Sequence, residues 1–374
     1  MKKDYFPQLI SEICHEYGIE LITLNNSQIR ILSWNGEEKI IWSKKFELNS
    51  VTSARIADNK SSTYEVLKQY NIPCINYKRH FCHYKNSFCY LDPDSIQSIQ
   101  NDLQKYHELV LKPENGYEGI DVYRCNCIED ILRIIDSFHK PYTYICSSPY
   151  YHIKAEYRTI CLNGRAMLSY KKNLPYIIGN GKDTIYQLIK QKYTDSSHSF
   201  FQEISDNIHE QIPHYGEKVI VGWRFNLSQG AESSPIVSST TLKIIQDISL
   251  KAANAIHINF SSVDVIETFD GEFLVMEINS GVVLNQFIED NFQNYNIAKK
   301  IYGNAILAMF KKTKNNTELF FIDFYYTLFF LTIQSAVFDV CYFLSFQTST
   351  LFATSETLLL LNCCLPSEYI IYIF

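Results

Sequence analysis

The first fifty residues change their spacing of apolar positions twice. Helical spacing predicts a helix over Tyr5–Tyr17, and shorter, near-alternating runs then predict strands at Ile19–Leu24, Ile29–Trp34 and Lys39–Trp42. Asn35-Gly36 is a two-residue turn signal between the last two. Residues 1–53 therefore read as a small α/β segment. Asp58 precedes SSTYEVLKQY, a helix with Ser61 or Ser62 near its cap, which stops before Ile72-Pro73. Strand-like runs follow at Leu109–Lys112, Tyr142–Cys146, Tyr157–Leu162 and Arg165–Tyr170, with helices expected at Ile128–Phe138, Thr184–Lys192, Thr241–Ile256 and Ala298–Lys312. Hairpins mixed with helices argue α+β rather than an all-parallel doubly wound sheet.

Two hairpins carry chemistry. Asp270-Gly271 reads as a two-residue turn, which sets Asp264 directly across from Glu277, with Asn279 on the same face. That register adds Ile266 and Val275 to the acidic face and puts Val263, Val265, Leu274, Met276 and Ile278 on the other. Two facing carboxylates in a covered sheet repel one another unless a cation bridges them. Three oxygen donors suit Mg²⁺ or Mn²⁺ and disfavour zinc. The second hairpin turns at Asn163-Gly164 and pairs Glu156 with Lys171 and Arg158 with Ser169. Arg158 adds a forked donor suited to phosphate oxygens.

Composition changes the picture in three ways. The formal charge of -6 gives no basic footprint and argues against nucleic acid as a partner. The opening MKKDYFPQLISEIC has no signal-peptide core, and 11 scattered cysteines without zinc spacing read as reduced thiols, so a cytoplasmic protein is expected. From Asn315 to Phe374 there is no Lys, Arg or Gly at all, which sets 313–374 apart as an atypical apolar tail. Its apolar run Phe324–Phe338 is 15 residues long, short for a membrane span. A membrane-seeking anchor, a packed extension and a translated stretch never selected as protein are the three origins weighed, the last favoured. Membrane contact is expected only if the tail is an anchor.

The segment LVLKPENGYEGIDVY places Lys112 at the end of a strand, before Gly116 and Gly119, the reverse of a P-loop. Further on, VGWRFNLSQGA supplies Arg224 and Asn226 beside a small-residue turn. K-P-x-N-G-x-x-G, E-Y-R, R-x-N-L-x-x-G and D…E-I-N-S, in that order over roughly Ala54 to Lys312, resemble the ATP-grasp carboxylate–amine ligases. The nearest branch is that of ribosomal-protein glutamate ligases, glutathione synthetases and cyanophycin synthetases.

The resemblance implies an ATP-grasp fold over 54–312, with two α+β subdomains clasping ATP. Lys60 and Lys112 then resemble the lysines on the α- and β-phosphates, and Glu114–Ile120, with Gly116 and Gly119, the loop that closes over them. Asp264, Glu277 and Asn279 match the metal ligands, and Glu156 the acid that binds ribose. Arg158 and Asn226 match residues on the γ-phosphate and acyl-phosphate, with Arg224 assisting. The family register favours Lys172 over Lys171 as the next basic residue, which a bulge would reconcile. The adenine hinge departs from the family in reading YICSSPYY, leaving backbone groups around Ser147 and Ser148 to read the base. The implied function is an ATP- and Mg²⁺-dependent ligase joining a small-molecule or peptide carboxylate to an amine through an acyl-phosphate. Alternatives are an ATP-binding module without ligase activity and a small-molecule kinase on the same scaffold. Tyr150, Tyr151, His152, Tyr170 and Tyr176 are candidate pocket residues, with packing roles favoured. A homo-oligomer is compatible with the resemblance.

Overall fold

The computed structural model describes residues 3–85, 88–116, 119–136, 143–193 and 210–310, so the apolar tail lies outside it. Among these residues every ladder between strands is antiparallel, which makes the class α+β.

The N-terminal segment holds α1 (Phe6–Tyr17) and a four-stranded sheet of β1 (Glu20–Leu24), β2 (Ile29–Trp34), β3 (Glu37–Trp42) and β4 (Lys45–Phe46). It is not an α/β unit, because tight turns and not helical crossovers join its strands. Asn35 and Gly36 both take positive φ (51° and 77°), as a two-residue hairpin turn demands. Nor does its core stand alone. Phe6 and Phe46 pack on Tyr302 with ring centroids 5.0 and 6.0 Å apart, and Phe46 meets Phe260 at 5.0 Å. Tyr302 belongs to α9 (Asn294–Phe310) at the far end of the described chain.

Next come α2 (Val51–Ala57) and α3 (Lys60–Gln69). The cap of α3 is Asn59, whose side chain accepts from Ser62 N–H at 2.9 Å, and not Ser61 or Ser62 as expected. A five-stranded sheet follows, ordered β6-β5-β9-β7-β8, from β5 (Lys78–Lys85), β6 (Phe88–Leu91), β7 (Leu109–Pro113), β8 (Tyr123–Cys125) and β9 (Tyr144–Pro149). Helices α4 (Pro93–Tyr106) and α5 (Ile128–Asp136) cover it, burying Ile99 and Ile131 against Leu109, Leu111 and Ile145. The sequence reading missed α4, whose apolar stripe of Ile96, Ile99 and Leu103 is thin among polar residues.

The central sheet is ordered β14-β11-β10-β15-β16. Its strands are β10 (Ile153–Leu162), β11 (Arg165–Asn173), β14 (Glu232–Ser234), β15 (Phe260–Thr268) and β16 (Phe273–Asn279). Helix α7 (Ser239–Ala255) covers one face, packing Ile245 and Ala252 against Val263, Val265, Val275 and Ile278. The smaller elements β12 (Tyr176–Ile178), α6 (Ile185–Lys192), β13 (Lys218–Ile220) and α8 (Asn285–Asp290) lie around it. All nine residues of β15 are buried.

Each site hairpin contains a bulge. Between β10 and β11, Asn163 and Gly164 form the expected turn, with φ of 47° and 73°. A register shift after Ile160 leaves Met167 unpaired, however, so Glu156 faces Lys172 and Arg158 faces Tyr170, not Lys171 and Ser169. Between β15 and β16 the turn spans three residues, closed by Thr268 N–H to Glu272 O at 2.9 Å with Gly271 at φ 83°. A bulge at Met276 then restores the pairing of Asp264 with Glu277. The longer turn corrects the facing of the residues nearest it. Val275 pairs with Val265 in the α7 core, while Leu274 and Met276 join Ile266 on the opposite, site-bearing side.

Candidate active site

A cavity of about 560 Å³ is lined from both five-stranded sheets. Lys112 stands next to last in β7 there, and Glu156, Arg158, Lys172, Asp264, Glu277 and Asn279 rise from the four adjacent strands β11, β10, β15 and β16. Alternation along antiparallel strands puts all six on one face once the bulges are counted.

Asp264 is the hub. Arg158 donates to it twice, Nε to Oδ1 and Nη2 to Oδ2, both at 2.7 Å, and Lys172 Nζ donates to Oδ2 at 2.8 Å. Lys172 also pairs with Glu156. Asp264 is fully buried, and burial alone would oppose its ionisation. The guanidinium and ammonium overcome that and hold its carboxyl far below the usual range. For Glu156, burial outweighs the single lysine and pushes the carboxyl up to about 7.

The two lysines expected at the phosphates are both present at the cavity wall. Lys60 opens α3 and donates to the carbonyls of Gly116 at 3.0 Å and Glu114 at 3.4 Å, with Glu277 Oε2 4.0 Å away. Lys112 Nζ lies 2.7 Å from Tyr77 Oη and over the same ring. Burial first, and then repulsion from Lys60, lowers its pKa. Tyr77 and Glu114 were not anticipated. Glu114 Oε1 accepts from Ser61 N–H at 2.9 Å and Ser61 Oγ at 2.6 Å, fastening the glycine loop to the N-terminus of α3. Glu114 sits inside the motif already singled out, whereas nothing in its local pattern marks Tyr77.

The loop meets the Arg224–Asn226 segment. Asn226 caps a 3₁₀ turn, its Oδ1 accepting from Ser228 N–H at 2.9 Å, and its Nδ2 faces Gly119. A Cβ on Gly119 would stand 2.6 Å from that Nδ2, and its φ of 68° is itself a glycine conformation. Arg224 Nη2 donates to the Val122 carbonyl at 2.8 Å.

Ser148 lines the cavity, but Ser147 does not; its hydroxyl lies on the other face of β9, 2.8 Å from His80 Nε2. Burial lowers the His80 pKa to about 4, so the imidazole is neutral. Tyr150 and Tyr151 line the cavity, and His152, Tyr170 and Tyr176 do not; Tyr170 stacks on Phe287.

Asp264, Glu277 and Asn279 fit a hard divalent cation. All three carry oxygen on paired strands; the Glu277 side chain is 25% exposed with its nearest cation 4.0 Å away, whereas the buried Asp264 carboxylate would share its oxygens with Arg158 and Lys172. Asn279 gives its Nδ2 to Glu277 at 3.1 Å. Among the described residues no cluster of three His, Cys, Asp or Glu could hold a metal, so the carboxamide is needed to complete this set. Among the same residues, no helix is long and apolar enough to cross a membrane.

Residues 184–304 match the RimK-like ATP-grasp domain, a stretch that includes Arg224, Asn226, Asp264, Glu277 and Asn279. No curated protein matches the chain. Among solved structures, a bifunctional glutathione synthetase from Pasteurella multocida is 14% identical over 79% of this chain and 43% of its own, with a TM-score of 0.48. The D-alanine–D-alanine ligase from Bacillus anthracis is 12% identical over 68% and 72%, TM-score 0.41. The ATP-grasp ligase PsnB, complexed with minimal precursor, Mg and ADP, is 11% identical over 71% and 62%, TM-score 0.42. This chain thus spans less than half the length of the glutathione synthetase. Its fold is α+β, and residues 184–304 are similar to the RimK-like ATP-grasp domain.

Proposed function

We propose that the protein is an ATP-dependent carboxylate–amine ligase that forms an amide bond through an acyl-phosphate. The observation that carries this is one cavity lined together by Lys60, Lys112, Arg158, Lys172 and Arg224 and by Asp264, Glu277 and Asn279. Five cations beside two carboxylates and a carboxamide make a site for a polyanion bound with a divalent metal. Asp264, Glu277 and Asn279 would hold Mg²⁺, which supplies charge neutralisation at the phosphates.

A substrate carboxylate oxygen attacks the γ-phosphorus of ATP, and the bond to ADP breaks. An amine then adds to the acyl carbon, phosphate leaves, and the nitrogen gives up a proton as the amide forms. The chain contributes positioning and charge. Lys60 and Lys112 bind the α- and β-phosphates, and Arg158, Arg224 and the Asn226 carboxamide bind the transferred group. Lys172 holds Asp264 and Glu156 in place and shares the positive field. Gly116 and Gly119 supply a loop that excludes water from the acyl-phosphate. Ser148, Tyr150 and Tyr151 line the base end, with Glu156 toward the ribose.

The test follows ADP release by the full chain with Mg²⁺ and ATP against mixtures of carboxylic acids and amines. Release that requires both partners, with an amide product by mass spectrometry, is expected. A phosphorylated product formed without any amine would identify a kinase and overturn the ligase reading.

A further inference from the structure

Lys60 and Asn279 are more than two hundred residues apart, yet one side chain ties their backbones together. Asp58, two residues before Lys60, accepts hydrogen bonds through Oδ1 from Ser280 N–H at 3.2 Å and from Ser280 Oγ at 2.7 Å. Its Oδ2 pairs with Lys45 on β4, and its own N–H donates to the Ala54 carbonyl at the end of α2. Asp58 is therefore held from two sides while it holds a third. Ser280 is 1% exposed, so its N–H and hydroxyl depend on this carboxylate as their acceptor from inside the fold. Immediately before Ser280 stands Asn279, bonded to Glu277.

We propose that Asp58 is a positioning residue. Through Ser280 it fixes Asn279 and Glu277 at a set separation from Lys60, so that metal and phosphate of one nucleotide are gripped together. This rests on the reading above, in which Asp264, Glu277 and Asn279 hold a divalent cation and Lys60 a phosphate. It adds a residue that never touches the ligand. Partners one step removed from a metal typically govern ten- to a hundredfold in its affinity.

The experiment measures binding of a non-hydrolysable ATP analogue to the full chain by calorimetry, with and without Mg²⁺, alongside thermal unfolding. Asp58→Ala should raise the Mg²⁺ concentration for half-maximal binding about tenfold, and Ser280→Ala severalfold. Affinity for the analogue without Mg²⁺ should change less than twofold. Asp58→Asn keeps an oxygen acceptor for Ser280 and should stay within about threefold of wild type. An unchanged Mg²⁺ requirement in folded Ser280→Ala and Asp58→Ala overturns the proposal. So does an equal loss of affinity with and without Mg²⁺, which is what a merely structural role gives. Should Asp58→Ala fail to fold, Ser280→Ala decides alone. A wild-type chain whose analogue binding ignores Mg²⁺ overturns the metal-site reading itself, whatever the variants do.

Discussion

Tyr77 restrains Lys112 much as Asp264 restrains Arg158, but with a neutral oxygen in place of a carboxylate. Its hydroxyl is the partner that keeps a buried ammonium aimed at the cavity. Tyr77→Phe removes one hydrogen bond to a charged group, worth roughly 1.5–3 kcal/mol. A ten- to hundredfold rise in KM for ATP, larger than any fall in kcat, is the expected result of steady-state kinetics. Glu277→Gln keeps the shape and removes the charge a divalent cation needs. ATP turnover should fall at least a hundredfold, the scale of losing one electrostatic stabiliser, with an unchanged melting temperature. His80 predicts a pH effect on stability. Its folded pKa of about 4 lies below the ordinary 6.5, so the unfolded chain binds the extra proton between those values. The stability it lends is fully present above pH 6.5 and is lost as pH falls toward 4, on the order of 3 kcal/mol in all. His80→Gln should flatten the melting-temperature profile across that window; an unaltered slope would count against a neutral imidazole.

At the scale of elements, the site lies on hairpins whose turns the sequence marks openly and whose bulges it does not. Asn163-Gly164 is legible because both positions need positive φ, and the turn is as expected. Met167 is not legible as a bulge, since an unpaired residue has no composition of its own. Turn counting alone therefore led to Lys171, while the structure brings Lys172 to Glu156. Asp264 and Glu277 were paired correctly through two departures that cancel, a turn one residue longer and a bulge at Met276. Tyr77 and Asp58 stayed hidden because they act across long sequence separations, where no local spacing carries the signal. The glycine loop makes the next prediction. Gly119→Ala puts a Cβ 2.6 Å from Asn226 Nδ2 and strains a left-handed φ. Affinity for ATP should drop at least tenfold in a binding titration, with little change in the melting temperature because the loop lies at the surface of a large core.

Across the whole molecule, the N-terminal segment and the last described helix close one aromatic cluster. Phe6, Phe46, Phe260 and Tyr302 come from α1, β4, β15 and α9, so the strand that bears Asp264 shares a core with residues the sequence set apart as a lead-in. A fragment of residues 54–312 would expose that cluster. It is expected to lack a cooperative melting transition by circular dichroism, where a separable segment would leave one. Phe46→Ala, at 4% exposure, should cost about 3–5 kcal/mol in denaturant unfolding.

The two bulges also bear on how such a chain can vary between lineages. Gaining or losing one residue in a hairpin turn inverts which side chains face inward, which would normally destroy a site built on alternation. A bulge on the returning strand reverses the inversion before the charged residues are reached. The 269–271 turn and the Met276 bulge are therefore a matched pair: losing either alone would turn Glu277 away from Asp264.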